Sequence, residues 1–87
     1  MSAEITIYGR PHCTNCTKTT DALTDAGVVF VYHDISKDPQ ARAEAVSYGY
    51  LQAPVVVLSS VYAECIATSW SGYDEDKVMS LIKMAAA

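Results

Sequence analysis

Basic residues are scarce in this chain. Six lysines and arginines stand singly among ten aspartates and glutamates, giving a formal charge of −4 and an isoelectric point near 4.8. No cationic stripe is available to grip a phosphate backbone, so nucleic acid is not an expected partner. Long apolar runs are missing too: stretches such as Ala53-Pro54-Val55-Val56-Val57-Leu58 fall far short of the ~18 residues a membrane span needs. A soluble chain with no membrane partner is expected. Only three prolines and four glycines punctuate a sequence that is 51% apolar, which argues for a packed fold over a disordered one. Its 87 residues leave room for one domain, residues 1–87, with a core of modest size. Three cysteines make no disulfide scaffold and suit a reducing compartment. The start, Met1-Ser2-Ala3-Glu4, has neither the basic nor the apolar part of a secretory signal. A cytoplasmic monomer is the expectation.

Two of those cysteines form Cys13-Thr14-Asn15-Cys16, placed where an apolar strand ends and a helix is predicted to begin. In an intracellular chain, such a pair beside a β-α-β pattern points to thioredoxin-like redox chemistry. The pattern is present. Glu4-Ile5-Thr6-Ile7-Tyr8 alternates as a strand, Arg10-Pro11-His12 forms a loop stiffened by its proline, and residues 14–26 read as a helix stopped by Gly27. Val28-Val29-Phe30-Val31-Tyr32 is a continuous apolar run of strand length, as expected of a parallel strand covered on both faces.

Asp38-Pro39 signals the start of a second helix running to about Tyr48, with Ala41, Ala45 and Val46 on its apolar face and Gly49 beyond its end. Val55-Val56-Val57-Leu58 reads as a buried strand. Ser59-Ser60 then suggests a hairpin turn into a strand over 61–68, whose small odd positions Val61, Ala63, Cys65 and Ala67 would face inward. On that face Cys65 reads as a core residue. Trp70-Ser71-Gly72-Tyr73 reads as a loop, with Trp70 open to either partner docking or a lid over the strands. Asp74 is a good cap for a last helix that carries Val78, Leu81, Ile82 and Ala85 on one stripe. The predicted order is β-α-β-α-β-β-α, a thioredoxin-like α/β sandwich of four strands and three helices.

Thiol-disulfide exchange needs one thiolate that attacks and a second thiol near enough to release the mixed disulfide. A helix N-terminus favours the anion, because its free N–H groups and the positive end of its dipole point at the sulfur. Cys13 is the exposed candidate nucleophile and Cys16, one turn in, acts second. Arg10 is the candidate fixed cation beside Cys13, and His12 a candidate titratable helper. Zinc is the competing reading of a Cys-x-x-Cys, but four ligands are needed and the remaining candidates, Cys65, His12 and His33, form no second paired motif. No metal is expected.

Ile5-Thr6-Ile7-Tyr8, Pro11-His12-Cys13-Thr14-Asn15-Cys16, Gly49-Tyr50-Leu51-Gln52-Ala53-Pro54-Val55-Val56-Val57 and Trp70-Ser71-Gly72-Tyr73 together resemble the NrdH-type redoxins, glutaredoxin-sized proteins with thioredoxin-like behaviour. The resemblance implies that Cys13 is the nucleophile, Cys16 resolves, and Pro54 is a cis-proline facing the disulfide, leaving the Ala53 backbone to pair with a substrate strand. It places Gln52, Trp70, Ser71, Gly72 and Tyr73 at the partner surface. It also implies that no cofactor is bound: thioredoxin reductase supplies electrons from NADPH through its flavin, and ribonucleotide reductase receives them for deoxyribonucleotide synthesis.

Two departures stand out. Twelve residues, 58–69, separate Val57 from Trp70, where the family has a tight hairpin. After Tyr73 the chain reads Asp74-Glu75-Asp76 in place of the family's Arg-Pro-Asp. This acidic run resembles the Gly-Gly-x-Asp-Asp of glutaredoxins, whose acidic group helps hold the amino end of glutathione. Glutathione therefore stays open as an alternative reductant, against the simpler reading of Asp74 as a helix cap.

Overall fold

Alternation along the strand β1 (Ile5–Gly9) sends Ile5 and Ile7 to one face and Tyr8 to the other, and two layers form on those faces. The structure is a computed structural model and describes residues 4–86; residues 1–3, on which the reading of the chain start rests, lie outside them. β1 pairs in parallel with β2 (Val31–Asp34) and antiparallel with β3 (Val55–Leu58), and β3 pairs antiparallel with β4 (Ser69–Ser71). The strand order is β2-β1-β3-β4. The helices are α1 (Thr14–Asp25), α2 (Pro39–Ser47), α3 (Ser60–Ala63) and α4 (Glu75–Ala86). This is the expected thioredoxin-like arrangement with one helix more than predicted.

On the first face, Ile5, Ile7, Val56, Leu58 and Trp70 of the sheet pack with Leu23 of α1, Tyr62 of α3, and Val78 and Leu81 of α4. The second layer is thinner. There Tyr8 and Val55 meet Ala41 and Ala45 of α2, while Val46, expected on the same apolar face, is exposed.

The helix ends follow their sequence signals. Gly27 has φ 75°, its N–H donates to the Thr24 carbonyl, and the Val28 N–H donates to that of Leu23. These paired bonds close α1, and both Val28 and Leu23 are buried in the first core. That corrects the expected strand over 28–32. Val28 belongs to the helix cap, and β2 begins three residues later as an edge strand with Val31 and Tyr32 exposed. Gly9 leaves room for a neighbour: a side chain there would meet the Tyr32 phenol, which would have to swing aside.

The predicted hairpin and strand over 61–68 are also corrected. The chain turns into α3 instead, with the Ala63 N–H bonded to the Ser59 carbonyl and the Ile66 N–H to that of Tyr62. Tyr62 is buried and Ile66, four residues on, packs against the same core, while Glu64 and Thr68 are exposed, so the inward residues follow helical spacing and not alternation. Cys65 is therefore exposed and is not the core residue expected. Trp70 and Ser71, read as loop, belong to β4, where Trp70 lies opposite Val56.

Candidate functional site

Pro11 fixes its own backbone and His12 adopts φ 57°, so the chain reverses and delivers Cys13 in extended geometry as the N-cap of α1. The Cys13 sulfur accepts the Cys16 backbone N–H at 3.2 Å. Cys13 and Cys16 are joined, with their Cα atoms 5.2 Å apart. Cys13 is 9% exposed and Cys16 3%, so an approaching partner meets Cys13 first.

Threonine weakens a helix intrinsically, and of the five in the helix behind this cap three bond back into its own backbone. Each hydroxyl donates to the carbonyl four residues back: Thr17 to Cys13, Thr19 to Asn15, and Thr20 to Cys16. Thr19 is thereby satisfied although fully buried.

Facing the sulfur is the loop before β3. The Ala53-Pro54 peptide is cis, and the Ala53 carbonyl oxygen lies 3.8 Å from Cys13 Sγ. Pro54 is fully buried, and its carbonyl accepts the Gly72 N–H at 2.8 Å. The Trp70-Ser71-Gly72 stretch thus braces this loop through β4. Trp70 and Gly72, placed at the partner surface from sequence, are buried; Ser71 and Tyr73 are half-buried, and Gln52 is exposed. Trp70 acts as the lid over Val56. The reason is register: opposite Val56, Trp70 points into the first core.

A cleft of about 340 Å³ opens at Cys13, lined by Arg10, His12, Asn15, Gln52 and Ala53. Leu51 stands on its rim, fully exposed. Nothing in the sequence pattern singles out Leu51; it is an apolar side chain stranded by the loop that carries Pro54. Arg10 also lines an adjoining cleft toward Arg42 of α2, so the structure does bring it into the neighbourhood of Cys13. On the opposite wall a groove is lined by His12, Cys13, Thr17, Lys18 and Asp21. Among the described residues no three His, Cys, Asp or Glu side chains converge as a metal ion would require.

Asp74 is occupied within its own helix. One carboxylate oxygen accepts the Lys77 backbone N–H at 3.1 Å and the other pairs with Lys77 Nζ at 2.9 Å. The bond to the Lys77 ammonium, then the backbone bond, hold its carboxyl below the ordinary carboxylate range.

A buried cysteine one helical turn behind a more exposed one, both at a helix start and opposite a cis-proline loop, can pass a disulfide between itself and a bound partner. The glutaredoxin family model matches residues 5–62. The glutaredoxin-like protein NrdH of Escherichia coli strain K12 is 31% identical over 77 residues, covering 88% of this chain and 86% of its own. The chain belongs to the NrdH-type redoxins of the glutaredoxin family. As a family member it is, in general terms, a thiol-disulfide oxidoreductase.

The solved Escherichia coli NrdH-redoxin, described as a glutaredoxin-like protein with a thioredoxin-like activity profile, superposes with a TM-score of 0.76 at 31% identity, covering 90% of this chain and 93% of that one. A glutaredoxin from Archaeoglobus fulgidus superposes with a TM-score of 0.70 at 28% identity, covering 93% and 87%. No helix of the described residues is long and apolar enough to cross a membrane.

Proposed function

We propose that this redoxin is a dithiol electron carrier that reduces protein disulfides, ribonucleotide reductase among them, and is itself reduced by thioredoxin reductase with NADPH as the electron source. Cys13 attacks as the thiolate. It bonds to one sulfur of the substrate disulfide, and the other sulfur leaves as a thiolate that takes up a proton. Cys16 then loses its proton and attacks Cys13 Sγ, releasing the second substrate thiol. Two electrons pass to the substrate and the Cys13-Cys16 disulfide forms.

The observation that carries this reading is the Cys16 N–H aimed at Cys13 Sγ at 3.2 Å. In the reduced protein the same N–H and the α1 terminus favour a thiolate at Cys13 over one at Cys16. Attack by Cys16 is intramolecular, where effective molarities reach about 10⁵ M or more, so the mixed disulfide is short-lived.

For the reductant, the supporting observation is Asp74. Its two carboxylate oxygens serve Lys77 and the start of α4, so Asp74 works as a cap and has less to offer the amino end of glutathione. The likeness to a protein described as thioredoxin-like in activity supports the same choice.

The test is NADPH consumption with a generic protein disulfide as final acceptor, the redoxin being coupled either to thioredoxin reductase or to glutathione with glutathione reductase. Turnover with thioredoxin reductase alone is expected. Turnover with glutathione alone would reassign the protein as a glutathione-dependent glutaredoxin. Cys13→Ser should abolish turnover, whereas Cys16→Ser should still attack and accumulate a mixed disulfide; the reverse pattern would sink the assignment of roles.

A further inference from the structure

The cation nearest Cys13 on the helix side is Lys18. It lines a groove together with Cys13, and Cys13 also lines the cleft that holds Arg10 and Ala53. Its ammonium is 5.8 Å from the centroid of the Tyr73 ring, within the distance at which a ring face attracts a cation. Among the described residues the one ion pair within 4 Å is Lys77 with Asp74, so Lys18 is not held in direct contact with a carboxylate. Asp21, the acid in the same groove, follows Lys18 by three residues along α1.

Two of the six basic residues, Arg10 and Lys18, thus line the clefts that Cys13 lines, and Arg42 lines the adjoining one, in a chain whose net charge is −4. A cationic rim on an acidic protein discriminates between partners, because it attracts carboxylates locally while the rest of the surface repels them.

We propose that Lys18, held by Tyr73, is a specificity determinant that selects protein disulfides flanked by acidic side chains. The occupant is a segment of a partner protein that enters with its disulfide over Cys13 and a carboxylate beside Lys18. This rests on the disulfide-reductase reading above, and the exchange step is the one described there. Lys18 does not touch the reacting sulfurs; it positions the segment that carries them.

The test uses the chemically reduced protein with no reductase present, so the choice of electron donor does not enter. Two peptides with an internal disulfide are compared, identical except that glutamate in one replaces lysine in the other two positions from a cysteine. The protein should reduce the glutamate peptide about two- to fivefold faster at low ionic strength, the range open to an exposed ion pair, with the preference fading in high salt. Lys18→Gln should lower the preference and Lys18→Glu should cancel or reverse it. Ultraviolet titration of the Cys13 thiolate separates this from tuning of the sulfur, which would change both peptides by the same factor. Equal rates for the two peptides in the unaltered protein, or a preference untouched in Lys18→Glu, would overturn the proposal and leave the redox reading standing. Reduction of neither peptide would overturn both.

Discussion

His12 has two separable properties, a titratable ring and a left-handed backbone with φ 57°. Only the first was visible in the sequence, where His12 stood as a candidate helper beside Cys13. The second turns the chain after Pro11 so that Cys13 caps α1. Left-handed geometry costs an L-residue about 1–2 kcal/mol, and histidine tolerates it better than β-branched residues do. If the backbone is what the site uses, His12→Gly relieves that cost and gives back about 0.5–1 kcal/mol through the freer unfolded chain. Its stability should therefore stay within about 1 kcal/mol of the unaltered protein, with disulfide exchange retained. His12→Val should lose about 1–2 kcal/mol and slow exchange, because Cys13 is no longer delivered squarely to the helix start. Urea denaturation and the exchange rate measure both. A glycine variant that is stable yet slow would show instead that the imidazole takes part.

Elements whose ends carry hydrogen-bonding signals were legible: Asp38 accepts the N–H groups of Gln40 and Ala41 at the start of α2, Gly27 closes α1, and Asp74 caps α4. The segment 58–69 was not, because its small odd positions imitate a strand while Tyr62 and Ile66 carry the helical spacing that the core uses. Four residues of α3 are too few for a periodic signal to outweigh an alternating one. The cap at Asp74 lends itself to measurement. Asp74→Ala should destabilise the fold by about 0.5–2 kcal/mol, the usual cost of losing a cap. The folded carboxyl titrates below the ordinary value of 3.8, so its contribution is complete above that pH and is lost as pH falls through the lower, folded value. The gap between Asp74→Ala and the unaltered protein, followed by denaturant midpoints from neutral to acid pH, should narrow only below about pH 4. A gap independent of pH would mean that the carboxylate's charge is irrelevant to the cap.

At the scale of the molecule, the two layers on the sheet are unequal. Helices α1, α3 and α4 share a core built on Ile5, Ile7, Val56 and Trp70. Helix α2 is held on the other face through Ala41 and Ala45, side chains too small to contribute much apolar burial. What compensates is polar. The Tyr8 phenol, from the middle of the sheet, donates to a Glu44 carboxylate oxygen on α2 at 2.9 Å. Burial first, and then that bond to Glu44, push its pKa from 10.0 up to about 12. A group whose folded value is raised contributes stability that is complete below its unfolded value and is lost as pH rises through the folded one. Between pH 10 and 12 the unfolded chain ionises Tyr8 while the native chain does not, so stability falls across that interval. Tyr8→Phe should remove this part of the alkaline loss, seen as a shallower decline of the denaturant midpoint over the same pH range. At neutral pH the same variant should weaken the α2 layer by about 0.5–1.5 kcal/mol, the net worth of one hydrogen bond. Because the two layers have separate cores, amide exchange should quicken in α2 while α1 and α4 stay protected. Uniform quickening across all the helices would show that the layers unfold together, and that Tyr8 contributes to the global fold instead of pinning α2 beside the Cys13 cleft.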